Sequence, residues 1–192
     1  MLVTEPVPSD PAARAEHARS DELREIRLPQ RDLVAARYAD LELALGTGKA
    51  PTVRKAAATL VAELARFYGA REPAVKVLGS RPLDSREGTE LFGDYDLETG
   101  LIRVWMRTAV RGRVTATGTF VATLVHELCH HLDREVLGLP GTPHTRGFFE
   151  RADALYHLVR GTPAERRRAL RWVRAGNRWR VDWSRREKGD SA

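Results

Sequence analysis

The 192-residue sequence contains one cysteine, Cys129, and lacks any hydrophobic run long enough to cross a lipid bilayer. A single cysteine excludes an intrachain disulfide and a zinc ribbon built from paired Cys-x-x-Cys motifs. Residues 1–27 contain neither a basic n-region nor an apolar h-region, so we expect no secretory signal peptide. Together these absences predict a cytoplasmic location and no membrane partner.

The composition is that of a globular chain with an excess of positive charge. Hydrophobic residues make up 42% and charged residues 30%, and the formal net charge is +6. This length suffices for one domain with a core of its own. We therefore predict a disordered N-terminal tail over residues 1–28, a domain over residues 29–175 and a basic C-terminal tail over residues 176–192.

Arginines dominate the sequence from Arg160 onward, and Trp172, Trp179 and Trp183 are interleaved with them. Such a segment can contact the phosphates of DNA and stack on its bases. The other interpretation is a solvated helix face whose tryptophans pack on the domain. We favour this second interpretation because basic surfaces are common and charge alone defines no binding geometry.

Periodicity and end signals predict an α+β fold in which helices precede and follow a small antiparallel sheet. The predicted helices cover residues 30–46, residues 51–69, about 116–138, a segment from near His144 and a last one from Thr162. The predicted strands are "AVKVLG" at 74–79 and a hairpin of "TELFGDY" and "GLIRVWMR" around the turn "DLETG".

The stretch "LVHELCHHLD", residues 124–133, contains a pattern typical of a metal site. On a helix, one face is an apolar stripe of Val121, Leu124, Val125, Leu128 and Leu132. His126, His130 and Asp133 lie on the opposite face, and Glu127 lies at its edge. Because His126 and His130 are four residues apart, both imidazoles can approach one Zn²⁺. Glu127 can then act as general base on a water activated by the metal.

A catalytic zinc needs a third protein ligand, for which we predict His144. The loop before it contains Gly138, Pro140, Gly141 and Pro143, which can turn the chain back toward the helix.

Three other residues are candidates around the metal. Glu150 is the main alternative third ligand. Asp133 could also bind the metal, but we expect it to orient a ligand imidazole. His131 points away from the histidine face, so we expect it at the surface or in contact with one of the ligand side chains.

Tyr156 and Arg146 are candidates for stabilising an oxyanion.

The elements "HELCH" at 126–130 and "HTRGF" at 144–148 resemble the SprT-like zinc metalloproteases. Thirteen residues separate His130 from His144, and Phe148 follows His144 by four positions. The resemblance covers about residues 74–160. It implies a zincin-like fold and hydrolysis of peptide bonds in a protein or peptide substrate. It also implies zinc ligation by His126, His130 and His144, catalysis by Glu127 and a packing role for Phe148.

Two alternatives remain open. The hairpin followed by "LVHELCHHLD" is also similar to ImmA/IrrE-type regulatory peptidases, in which the third ligand is a glutamate farther downstream. The second alternative is a non-catalytic, zinc-containing protein that binds nucleic acid. For a peptidase, we expect an extended substrate to pair with "GLIRVWMR" as the edge strand of the sheet.

Overall fold

The computed structural model describes residues 2–84 and 89–182, and within them the chain has an α+β fold. The helices are α1 (Pro11–Glu22), α2 (Arg31–Gly46), α3 (Ala50–Tyr68), α4 (Thr117–Glu135) and α5 (Arg146–Arg160). The strands are β1 (Val75–Ser80), β2 (Leu83–Asp84), β3 (Thr89–Glu90), β4 (Gly93–Tyr95), β5 (Ile102–Arg107), β6 (Trp172–Ala175) and β7 (Arg178–Val181). The helices predicted over 30–46, 51–69 and 116–138 are confirmed to within a few residues.

Helix α1 lies in the segment predicted to be a disordered tail, so that prediction is wrong for residues 11–22. Its start is well determined by local chemistry. The carboxylate of Asp10 accepts a hydrogen bond from the backbone N–H of Ala13 at 2.8 Å, and Pro11 occupies the first turn. The same helix packs against α5, and this contact provides the burial that the segment lacks on its own.

The main sheet has the strand order β1-β5-β4. The hairpin of β4 and β5 is confirmed, with Asp96 closing its turn through hydrogen bonds from the N–H groups of Glu98 and Thr99. Strand β1 pairs with β5 in parallel, so the sheet is mixed and the prediction of an antiparallel sheet is wrong. Strand β5 is central instead of at the edge, and β4 is an edge strand. The crossover between β1 and β5 is long enough to permit a parallel pair, which hairpin signals do not reveal.

Helix α4 is supported by several elements. The alternate residues Ile102, Val104 and Met106 of β5 are almost fully buried, and α3 and α4 pack against this sheet. Helix α5 packs along α4, and α2 packs on α3. The apolar stripe predicted on α4 is buried, which fixes the direction of its polar face.

The predicted helix from Thr162 is wrong. Only one 3₁₀ turn forms, at Ala164–Arg166, and the chain then builds the antiparallel hairpin β6–β7. Gly176, with φ of +63°, allows the tight turn between these strands. Strand β7 therefore lies within the predicted tail at 176–192.

The tryptophans of the C-terminal segment contact the domain where the structure describes them. The indole N–H of Trp172 donates to Glu150 at 2.7 Å, and the guanidinium of Arg146 lies 4.4 Å from the ring centre of Trp179. Trp183 lies outside the described residues. Across residues 2–84 and 89–182, no helix combines the length and apolar character needed to span a membrane.

Candidate metal centre

Helix α4 places His126 and His130 one turn apart with their rings facing the same cavity. The Nε2 atoms of the two imidazoles are 3.3 Å from each other. The opposite side of the helix is anchored by buried Leu124 and Leu128. Since the helix is held by packing, the two histidines are fixed in position by the fold.

His144 returns to this pair through the loop after α4. Gly138 has φ of +64°, which lets the chain reverse, and Thr145 caps α5 by accepting from the N–H of Phe148. The Nε2 atom of His144 lies 3.0 Å from that of His126. One nitrogen from each of the three histidines lies within 4.8 Å of the other two, so the structure brings the three predicted ligands close enough to bind a metal ion.

Two of the rings are oriented through their outer nitrogens. The Nδ1 of His144 is 2.7 Å from the carboxylate of Glu5, and the Nδ1 of His130 contacts the hydroxyl of Thr142. A carboxylate only accepts, so Nδ1 of His144 carries the proton and its Nε2 presents a lone pair to the cavity. Thr142 has φ of +39°, an uncommon conformation that accompanies its contact with His130.

The electrostatics favour neutral imidazoles that can donate lone pairs. Burial, with His144 as a second cause, lowers the pKa of His126 to about 3. Burial also lowers the pKa of His130 well below its usual range. Phe148 lies beneath the cluster, with its ring centre 4.5–5.0 Å from each imidazole centre, and it excludes water from that side.

The donor set and spacing fit a divalent metal such as zinc. Imidazole nitrogens on a tetrahedral zinc, each about 2.0–2.1 Å from the ion, are about 3.3 Å apart. The two short separations in the cluster, 3.0 and 3.3 Å, agree with that value. A cation placed among three converging lone pairs would remove their mutual repulsion.

Glu127 is 5% exposed and lines the same cavity of about 320 Å³ as the three imidazoles. Burial, together with the nearby charge of Asp94, raises the pKa of Glu127 to about 8. Gly93 of β4 allows this close approach: a Cβ atom there would be 3.0 Å from Oε1 of Glu127 and 2.5 Å from Cγ2 of Thr123. The strand therefore forms one wall of the cavity directly over the carboxylate.

The two acidic alternatives are engaged elsewhere. The carboxylate of Asp133 accepts from Nη2 of Arg151 at 2.7 and 2.8 Å, with both side chains about 1% exposed. The expectation that Asp133 orients a ligand imidazole is thus corrected, because the buried guanidinium engages both of its oxygens. Glu150 accepts from the indole of Trp172 and from Arg24 at 3.3 Å, on the side of α5 toward the C-terminal hairpin.

His131 is fully buried, which corrects the expectation of a surface position. Its Nε2 lies 2.7 Å from the carbonyl oxygen of Arg71, and its Nδ1 lies 3.0 Å from the hydroxyl of Tyr95. The carbonyl can only accept, so Nε2–H donates to it and Nδ1 accepts from the tyrosine. His131 therefore ties α4 to β4, the strand that covers Glu127.

The oxyanion candidates also have identified partners. Arg146 pairs with Asp21 of α1, whose oxygens accept from both its backbone and its side chain. The hydroxyl of Tyr156 accepts from Arg160 at 2.6 Å. Tyr156 lines a second cavity of about 540 Å³, which also touches His126. Tyr156 therefore lies beside the histidine cluster, whereas the guanidinium of Arg146 is held by α1.

Cys129 is buried on the packed side of α4. Burial raises the pKa of its thiol. The reactive thiolate is therefore disfavoured, and the side chain acts as a small core residue.

The N-terminal region supports the loop carrying His144, a role that the sequence did not predict. Three side chains of α1 hold this loop: Glu16 accepts from the N–H of Gly141 at 2.7 Å, Arg19 donates to the carbonyl of Gly138 at 2.8 Å, and Ser20 bonds the hydroxyl of Thr145 at 2.8 Å. The sequence Asp-Pro at 10–11 is a usable signal for the helix. No local pattern indicates where such a helix docks.

Comparison of the chain with protein-family models, with curated proteins and with solved structures finds no match. The fold and the site define an α+β protein with a three-histidine cluster able to bind a metal ion. The resemblance to the SprT-like metalloproteases stays a prediction from the sequence.

Proposed function

We propose that this chain is a zinc-dependent metallopeptidase, with His126, His130 and His144 as metal ligands and Glu127 as general base. One observation carries the proposal: three imidazole nitrogens and a buried carboxylate line a single cavity. The bonds at the outer nitrogens of His130 and His144 are those typical of metal-binding histidines. A zincin-like fold and membership of the SprT-like group are part of this proposal.

Bound zinc would supply Lewis-acid activation of a water molecule and of the scissile carbonyl. Glu127 would accept the proton from the attacking water and deliver it to the departing amine. Its low exposure favours this transfer, because a buried carboxylate holds a proton more readily than a solvated one. The positive charge of the ion would lower the pKa of Glu127 from its value in the metal-free protein, which leaves it available as a base.

The edge strand β4 is the proposed place for the substrate backbone. Gly93, Asp94 and Tyr95 line the cavity that contains Glu127, and the strand order places β4 at the edge of the sheet. An extended peptide could pair with this edge and present its carbonyl to the metal. This replaces the predicted pairing with β5, which is central in the sheet.

We also propose that the protein is located in the cytoplasm, because it contains a single cysteine.

A second candidate is a zinc-containing protein that binds nucleic acid. The observation in its favour is the set of exposed arginines on the C-terminal hairpin, which are Arg171, Arg174, Arg178 and Arg180. The two functions are compatible, since a peptidase can also associate with DNA. An ImmA/IrrE-like assignment is less well supported because Glu150, the single glutamate of α5, contacts Trp172 and Arg24.

The test compares the wild type with Glu127→Gln and with Glu135→Gln, a matched change at the end of the same helix. Zinc content is measured by mass spectrometry, and cleavage of an unfolded protein is followed with and without DNA. We expect equal zinc in all three proteins and a loss of cleavage of about 10²–10⁴-fold only in Glu127→Gln. Equal cleavage by Glu127→Gln, or no zinc in the wild type, would contradict the proposed peptidase. DNA binding without cleavage would favour the second candidate.

A further inference from the structure

Residues 2–5 form an extended segment, here called the N-terminal strap, that is held against strand β7. The N–H of Thr4 donates to the carbonyl of Trp179 at 2.8 Å, and the N–H of Val181 donates to the carbonyl of Leu2 at 3.1 Å. The hydroxyl of Thr4 also accepts from the N–H of Trp179 at 2.9 Å. Thr4 is only 3% exposed, so the strap is part of the packed structure.

The next residue of the strap makes two bonds to the same histidine. The N–H of Glu5 donates to the carbonyl of His144 at 2.8 Å, and the carboxylate of Glu5 lies 2.7 Å from Nδ1 of His144. One bond locates the backbone of His144 and the other locates its ring. Two separate bonds to one residue leave little freedom for rotation about its side chain.

His144 needs such support more than the other two histidines do. His126 and His130 lie on a buried helix, whereas His144 precedes α5 on a loop and its side chain is 31% exposed. A ring on a loop can rotate, and it can also adopt the tautomer whose proton lies on Nε2, in which this nitrogen has no lone pair to offer a metal. The carboxylate of Glu5 favours the proton on Nδ1 and thereby leaves Nε2 free.

We infer that Glu5 is a positioning residue for the metal centre: its carboxylate fixes the ring orientation and tautomer of His144, so that a terminal strap sets metal affinity. This rests on the proposed function only through the metal ligands and is independent of peptide cleavage. Carboxylates that accept from the outer nitrogen of a metal-binding histidine typically change metal affinity about 10–100-fold.

The test compares the wild type with Glu5→Ala, Glu5→Gln and Glu25→Ala, the last being an exposed glutamate of the same N-terminal region. Zinc affinity is measured by competition with a chromophoric chelator, and the Co²⁺-substituted proteins are compared by visible absorption. Thermal unfolding of each metal-free protein reports the fold separately. All proteins comprise residues 1–192 without an affinity tag.

We expect Glu5→Ala to bind zinc about 10–100-fold more weakly, with an altered Co²⁺ spectrum and an unchanged metal-free melting temperature. Glu5→Gln keeps an acceptor oxygen and should recover part of the affinity, and Glu25→Ala should match the wild type. The inference is overturned if Glu5→Ala matches the wild type in affinity and Co²⁺ spectrum. It is also overturned if Glu5→Ala lowers the metal-free melting temperature and Glu5→Gln restores nothing, since that indicates a structural role alone.

The same measurements separate this inference from the proposed peptidase. A wild type that binds no zinc overturns both. A wild type that binds zinc and cleaves nothing contradicts the peptidase, and the comparison of Glu5→Ala with wild type still decides the role of the strap.

Discussion

Replacing Glu127 with glutamine should stabilise the metal-free protein, by an amount that grows with pH. The folded state raises the pKa of this carboxyl from 4.5 to about 8. Between these values the folded chain retains a proton that the unfolded chain releases, so the stability of the wild type falls as pH rises through this window. Each pKa unit corresponds to about 1.4 kcal/mol, which gives a penalty on the order of 5 kcal/mol above pH 8.

Glutamine has a similar shape and no charge, so Glu127→Gln avoids this penalty. The assay is urea unfolding of chelator-treated protein at several pH values from about pH 5 to about pH 9. The free energy of unfolding of Glu127→Gln minus that of the wild type should increase with pH and level off above about pH 8. All other ionisable groups are common to both proteins, so the difference between them isolates residue 127.

Glu135→Gln is the control, and its difference from the wild type should stay flat over the same range. Adding zinc should reduce the pH dependence of the wild type, because the ion's charge stabilises the carboxylate. A constant difference between Glu127→Gln and wild type at all pH values would refute the reasoning, since it would mean that the carboxyl titrates alike in folded and unfolded chains.

Three further predictions concern the surroundings of the cluster. Arg151→Met leaves Asp133 buried without its partner and should lower the free energy of unfolding in urea by about 3–5 kcal/mol. Arg151→Met combined with Asp133→Leu should recover most of this loss, and equal stability of the single and double variants would contradict the prediction. Gly93→Ala should displace β4 from Glu127, because the new Cβ would lie 2.5 Å from a side-chain carbon of Thr123. Cleavage should therefore fall while zinc content is unchanged, and cleavage at the wild-type rate would show that the strand tolerates the methyl group. Removing zinc with a chelator should lower the melting temperature, and readdition should restore it, as expected for a ligand that binds the folded state alone; an unchanged melting temperature would argue against the metal centre.

The central part of the site could be predicted because its chemistry follows helical periodicity. The four-residue spacing of His126 and His130 and the apolar stripe opposite them together place both rings on one face. The return of His144 was also predictable, since glycine and proline in the preceding loop indicate a reversal. These features depend on residues close together in the chain.

The rest depends on contacts between distant segments, which local patterns do not specify. Glu5 and His144 are 139 positions apart, and nothing in the first residues indicates their partner. The mixed sheet likewise depends on the return of β5 beside β1. Sheet order follows from tertiary packing, not from the alternation within each strand.

The C-terminal error has a specific physical cause. Thr162, Pro163 and Glu165 form a helix-start signal, yet only one 3₁₀ turn follows. Several arginines come next, and a helix would place Arg171 one turn from both Arg167 and Arg168, where the like charges repel. The sequence "RAGNRW" contains a two-residue hairpin turn, Gly-Asn, which was the better guide.

The pairing of the strap with β7 has a practical consequence for recombinant work. Leu2 is three residues from Glu5, which contacts His144. A fusion joined ahead of residue 2 would therefore be separated from the histidine cluster by about 10 Å of extended chain. A hexahistidine purification tag at that end would offer rival imidazoles to any added metal. Metal titrations of this protein should therefore use material from which such a tag has been cleaved and removed.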